Sequence, residues 1–409
     1  MRLLSNSLLP RYHNPDEDVK SALVEASLDK CLAIADLITK PLHIVTPLIH
    51  SPALSARTGH NIYLKLDAFQ PAGSFKLRGI GRTCQAAYRI HGPETHIIAA
   101  SGGNAGLAAA ESAKRLGLRC TVVVPKRTER SVLGAHVENT TAEVLDDADQ
   151  LARAIAVVDP KGVYVHPFES LETALGHASI VPEIRDQLLA AGVPGGRPDV
   201  VTCSVGGGGL LRGIIHGINT TIVEDPAFGS PKPRLVACQD FGAHSFGASF
   251  NQWLASSDDE GNVVSLEAIT SQATSLGAKS CSAAALTAAI QYAQPDPVDT
   301  AGQRAPYLST VIVDDAISAS ACWQFDRDHE LMVEMACGAA LSPIYLPKRI
   351  LDTVLQDTGT GEGREGEKLN IVVVVCGGSK VDREMLGMYE REYEAADEGW
   401  RVMVDGKDV

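Results

Sequence analysis

The sequence of 409 residues contains no CxxC pair, and none of its twelve histidines falls in an HExxH pattern. Its nine cysteines are odd in number and irregularly spaced. These absences argue against a disulfide framework or a zinc site and suit a reducing compartment. Basic charge is also short, with 36 Lys and Arg against 50 Asp and Glu and a net charge of −14. Nucleic acid and anionic membranes are therefore not expected as partners, and the acidity reads as an ordinary solvated surface. No stretch approaches the roughly 18 apolar residues that span a bilayer. The opening MRLLSNSLLPRYHNPDEDVK lacks an apolar signal segment of useful length. The expected location is the cytoplasm. No internal repeat is visible.

What is present is an alternation of β-rich apolar runs and Ala/Leu-rich stretches. Strands are predicted at Asn61–Leu66, His96–Ala100, Cys120–Val124, Val163–Val165, Val200–Ser204, Arg234–Cys238 and Asn370–Cys376. Helices are predicted at Ala105–Leu116, Ala148–Val158, His177–Ala191 and Leu210–Ile218. Continuous apolar strands indicate a buried parallel sheet, and the βαβα rhythm indicates an open α/β architecture with helices on both faces. Thr220–Pro233, Ser256–Asn262 and Asp357–Lys368 (DTGTGEGREGEK) read as surface additions. The charged stretch from about Asp382 reads as helical.

Four turns carry chemistry. Pro71-Ala72-Gly73-Ser74-Phe75-Lys76-Leu77-Arg78-Gly79 places a lysine at a strand–turn–helix junction. A partly desolvated amine there has a lowered pKa and can act as nucleophile and base, although a lone lysine is far more often a solvated surface residue. Ser101-Gly102-Gly103-Asn104-Ala105-Gly106 follows a strand and opens a helix. Its free N–H groups suit a carboxylate, although a plain capped turn explains it equally well in isolation. Ser204-Val205-Gly206-Gly207-Gly208-Gly209-Leu210-Leu211 suits a phosphate, and it lacks the Lys-Ser/Thr of a P-loop. Val372–Val375 followed by Cys376-Gly377-Gly378-Ser379 puts a small polar residue at a strand's carboxyl end. A lone cysteine there is commonly just a small core residue. Together the four offer a reactive amine, a carboxylate site, a phosphate site and a partner for a ring nitrogen.

These segments resemble the fold-type-II pyridoxal 5′-phosphate (PLP) enzymes, and within them the L-serine dehydratase group. The matching blocks are TPLIHSPALS, YLKLDAFQPAGSFKLRGIG, SGGNAGLAAA, GHASIV, SVGGGGLLRG, FGAHSF, VEMACGAA and VVVVCGGS, in order from Thr46 to Ser379. The resemblance implies two open, twisted, mostly parallel sheets with helices on both faces and a small domain inserted in a large one. The large domain would comprise residues 1–70, with 1–40 an N-terminal extension, and 176–384. The small domain would comprise 71–175, and 385–409 a C-terminal tail. Lys76 would carry PLP as a Schiff base and shuttle the α-proton, with Phe75 packed on the ring. Ser101, Gly102, Gly103 and Asn104 would receive the substrate carboxylate, with Asn104 also near the ring oxygen and Ala243 on the substrate side. Gly206, Gly207, Gly208, Gly209 and Leu210 would cradle the phosphate, and Cys376 would face the pyridine nitrogen. A thiol, with an ordinary pKa of about 8.5 and a weak S–H donor, should not hold that nitrogen protonated. A monovalent cation such as K+ would sit on the backbone of Gly206, Ala243, Leu276 and Ala278, with Ser245 nearby. A homodimer is the usual assembly.

The implied reaction is β-elimination from L-serine and L-threonine, giving a 2-keto acid and ammonia. The sequence departs from the group near the site. Gln239 stands where an acidic residue is usual, Gly102 where Ser or Ala is common, and Met335 where Pro is usual. FESLETALGHASIV replaces a usual Trp-Glu-Gly-His stretch. These departures keep β-replacement or elimination on another β-substituted amino acid open as an alternative. A non-catalytic PLP-binding protein is a second alternative, and a racemase a further variant.

Overall fold

The computed structural model describes residues 35–36, 38–124, 136–139, 145–229, 231–256, 260–294, 307–356, 368–378, 381–393 and 399–409. The chain divides into a short unit, Met1–Pro41, and a main unit, Leu42–Val409. In the short unit Lys40 pairs with Asp36 one helical turn away, at 2.8 Å. Of the Asp357–Lys368 loop only Lys368 is described, and Ser379 of the VVVVCGGS block also lies outside the described residues.

The main unit begins with β1 (Leu48–His50), α1 (Pro52–Thr58), β2 (Asn61–Lys65) and α2 (Lys76–His91). There follow β3 (His96–Ala100), α3 (Asn104–Leu116), β4 (Arg119–Val124), β5 (His136–Asn139), α4 (Leu145–Val158) and β6 (Gly162–Tyr164). The next elements are α5 (Leu171–Ala178), α6 (Ile180–Ala190), β7 (Val200–Ser204), α7 (Gly209–Glu224), β8 (Arg234–Asp240) and α8 (Ser245–Ala255). The chain ends with α9 (Ala283–Ala293), β9 (Leu308–Val313), α10 (Asp315–His329), α11 (Met335–Tyr345), α12 (Asp352–Gln356), β10 (Asn370–Val374), α13 (Arg383–Glu392), β11 (Val402–Val404) and β12 (Lys407–Asp408).

Among the described residues the strands form two sheets. One has the order β1-β2-β10-β7-β8-β9-β11-β12, the other β5-β4-β3-β6. The second sheet is parallel throughout, as is the β2-to-β9 centre of the first. Antiparallel β1 closes one edge of the large sheet, and antiparallel β11 and β12 close the other. The central strands β7, β8 and β9 are buried at every position, because helices cover both faces.

Two segments differ from expectation. The helix predicted over His177–Ala191 is two helices, broken at Ser179. Pro182 lacks the N–H that would bond back to Ala178, so a continuous helix loses a rung there. Thr220–Pro233 is not a surface addition: α7 continues to Glu224, and Phe228, 1% exposed, fills the core beside Ile218 and Leu188. Within the stretch 385–409, expected as a C-terminal tail, β11 pairs with β9 through Val402↔Val313 and β12 pairs with β11 at the sheet edge.

Candidate active site

The exits of β10, β7 and β3 meet around a cavity of about 420 Å³. Lys76 is the first residue of α2, and the turn before it is stitched to the exit of β10. The Phe75 N–H donates to the Cys376 carbonyl at 3.1 Å, and the Gly378 N–H donates to the Gly73 carbonyl at 3.1 Å. Gly377 has φ +92°, and a Cβ there would lie 2.4 Å from the Gly73 carbonyl oxygen. Only glycine allows so close an approach in that conformation. Two residues three hundred positions apart in the chain, Lys76 and Cys376, are thus set side by side by backbone contacts.

The Lys76 amine donates to the Pro167 carbonyl at 2.9 Å and lies 5.3 Å from the centre of the Phe75 ring. Burial lowers its pKa from 10.5 to about 8, against the opposing pull of Cys376 and Glu334. The positive end of the α2 dipole acts in the same direction as burial. The Cys376 thiol is pushed far up by its hydrogen bond with Cys337 and by burial. It also accepts a hydrogen bond from the Ser204 hydroxyl at 3.5 Å. It therefore stays a neutral thiol at pH 7.

Gly206 through Leu210 line the opposite side of the cavity. The first N–H groups of α7 have no carbonyl one turn back to bond with, so this end of the helix is suited to an anion. The Gly207 carbonyl accepts from the Ser282 N–H at 2.9 Å, which fixes the loop against α9. A Cβ on Gly207 would sit 2.4 Å from the Phe168 ring, and Gly208 has φ +92°. The loop is glycine because a Cβ would press on packed neighbours: Phe168 at Gly207 and Gly209, Ala285 at Gly208 and the Leu276 backbone at Gly206.

Ser101, Gly102, Gly103 and Asn104 lie on the cavity wall where β3 leads into α3. The Ser101 hydroxyl accepts from the Gly103 N–H at 3.2 Å. The Asn104 amide donates to Glu334 at 2.7 Å and to the Ser275 hydroxyl at 3.4 Å. Leu276 and Ala278 also line the cavity. Ala243 is not among the residues that line it. It is fully buried in the turn after β8, with its N–H on the Asp240 carbonyl and its own carbonyl taken by Gln239.

The sequence reading assigns no role to several cavity residues, Glu334, Pro167, Phe168 and Ser275 among them. Glu334, 9% exposed, sits at the start of the apolar helix α11. An acid directly before so apolar a helix was the available signal. Pro167 and Phe168 reach the cavity from the β6–α5 connection, and Phe168 opens the FESLETALGHASIV stretch that departs from the group. Among the described residues no cluster of three or more His, Cys, Asp or Glu could hold a metal ion. Nor is any described helix long and apolar enough to cross a membrane.

A family profile described as "Pyridoxal-phosphate dependent enzyme" matches residues 39–377. The chain belongs to the pyridoxal-phosphate dependent enzymes. Human "L-serine dehydratase/L-threonine deaminase" is 36% identical over 365 residues, covering 86% of this chain and 98% of the relative. Mouse "Serine dehydratase-like" is 38% identical over 362 residues, covering 87% and 96%. The solved structure of a fungal L-serine ammonia-lyase from Rhizomucor miehei superposes with a TM-score of 0.69 at 29% identity, over 86% of this chain and 99% of the other. The chain therefore has the fold-type-II architecture that its motifs imply. The cavity fits the family's cofactor on its own chemistry: a lowered-pKa amine, a neutral thiol and a glycine-built helix start on its wall.

Proposed function

We propose that this PLP-dependent enzyme is a lyase that deaminates L-serine, and L-threonine as a second substrate, releasing the 2-keto acid and ammonia. The observation that carries the reading is the Lys76 amine, its pKa lowered to about 8, held by backbone bonds beside the neutral Cys376 thiol. The names of the human and mouse relatives and of the fungal ammonia-lyase point to the same substrates. When bound, PLP supplies the electron sink that makes the α-proton of an amino acid acidic.

The chain's own residues then divide the work. Lys76 would hold the cofactor covalently, and its Nζ would take the α-proton of the substrate. The backbone N–H groups of Gly206–Leu210 would hold the phosphate. Phe75 would lie against the ring. Ser101 to Asn104 hold the substrate carboxylate, and Glu334 orients the Asn104 amide through their 2.7 Å bond. Cys376 would give the ring nitrogen a weak neutral partner in place of a carboxylate, which would favour loss of a β-substituent over prolonged charge on the ring. Residues 71–175, which contain the small sheet, act as the domain that closes over the substrate and excludes water.

The test is a keto-acid assay on the purified enzyme with L-serine as sole substrate. Steady pyruvate release, and slower 2-oxobutanoate release from L-threonine, are expected. Bound cofactor with no keto acid from L-serine would overturn the reading. Turnover only after a nucleophilic co-substrate is added would move it to β-replacement.

A further inference from the structure

Three of the four backbone carbonyls that the family resemblance offers to a monovalent cation, those of Ala243, Leu276 and Ala278, already accept hydrogen bonds. The Ala243 carbonyl accepts from the Gln239 amide at 3.1 Å, and the Ala278 carbonyl accepts from the Ser245 hydroxyl at 2.8 Å. The Leu276 carbonyl accepts from the Ala278 N–H at 2.7 Å. Gln239 is 1% exposed and uses its whole amide. Its NH2 also donates to the Val205 carbonyl at 2.6 Å, and its oxygen accepts from the Gly247 N–H at 2.6 Å. Two carbonyls and one N–H around the group fix which end is nitrogen, because the flipped amide would face three like groups. Val205 leads directly into the tetraglycine loop, and Gly247 lies in the first turn of α8. The amide therefore ties the loop to the turn that follows β8.

A bound cation would perform the same cross-link by gathering carbonyl oxygens around a positive charge. Here the positive edge of an amide dipole already points at one of them, that of Ala243, and at the Val205 carbonyl next to Gly206. Asp240, next in sequence, does not supply the missing acid. Side chains alternate across a strand, and the Asp240 carboxylate bonds to the Ser318 hydroxyl of α10 instead. The donor set does not fit a monovalent cation.

We propose that the Gln239 carboxamide is a built-in replacement for that cation, so that this enzyme needs no K+ to hold its glycine loop. The inference rests on the family assignment and not on the identity of the substrate. A carboxylate at position 239 would face the Val205 and Ala243 carbonyls with like charge and would need a cation between them. Gln239→Glu should thus convert a cation-independent protein into a cation-dependent one.

The test is thermal unfolding of the holoenzyme and of its Gln239→Glu variant in KCl, NaCl and tetramethylammonium chloride at matched ionic strength. Turnover of L-serine is followed in parallel. The parent is expected to keep one midpoint and one rate in all three salts. The variant is expected to lose cofactor in tetramethylammonium and to gain about 2–4 °C on K+ addition. A parent midpoint that rises saturably with K+ would overturn the proposal, and this comparison stands even if the variant does not fold. A folded variant that ignores K+ would also overturn it. Because the midpoints need no turnover, failure here is distinguishable from an error about the substrate.

Discussion

At the residue scale the decisive feature is an amine whose pKa burial has brought down close to physiological pH. Below about pH 8 Lys76 carries a proton, and above it the amine is free to attack. Recapture of PLP by cofactor-free protein should therefore speed up with pH and level off above about 8. Stopped-flow absorbance measures this directly. A rate still climbing toward 10.5, the ordinary value for lysine, would contradict the assignment. Lys76 and Cys376 are legible in the sequence because each sits in a turn whose neighbours are unusual. The contacts that Glu334 and Phe168 make are not. A single acid or aromatic gains its meaning from what it faces, and Asn104 and Gly207 reach those residues only through the fold.

At the scale of elements, pattern reasoning works where a strand is long and apolar. β3 and β7 match their predicted bounds, and β2, β4, β6, β8 and β10 differ by one or two residues at an end. β9 (LSTVIV) went unrecognised although it is buried at every position. Its Ser-Thr pair breaks the apolar run, and its neighbours in the sheet are remote in sequence. The short edge strands β11 and β12 owe their form to pairing with β9 and with each other, which local propensity does not report. The glycine loop, by contrast, is legible because its requirement is severe. Gly207→Ala would drive a Cβ to within 2.4 Å of the Phe168 ring. Overpacking of this kind costs about 1–3 kcal/mol, so PLP affinity should fall about ten- to hundredfold. Equilibrium dialysis of the variant against PLP would show it. An unchanged affinity would mean that the loop is not the phosphate site.

At the scale of the molecule, the architecture turns scattered sequence blocks into one cavity. The exits of two sheets face it, and a buried ionic network holds the Lys76 helix in place. Arg78 bonds Asp67 at 2.6 Å and Glu183 at 2.7 Å, and Glu183 also pairs with Lys65 at 2.6 Å. Burial would push the Asp67 carboxyl up, but Arg78 beside it holds it below its ordinary value. The cluster links β2, α2 and α6, so Lys76 starts from a helix with little freedom to shift. None of this network could be read from the sequence, because its members come from separate elements and each reads alone as an ordinary charged residue. The central claim is that this whole arrangement serves a cofactor bonded to Lys76. Borohydride treatment of the holoenzyme, followed by peptide mass mapping, tests it most directly. The account predicts a single modified peptide carrying the reduced cofactor on Lys76, and reduced cofactor on any other lysine would contradict it.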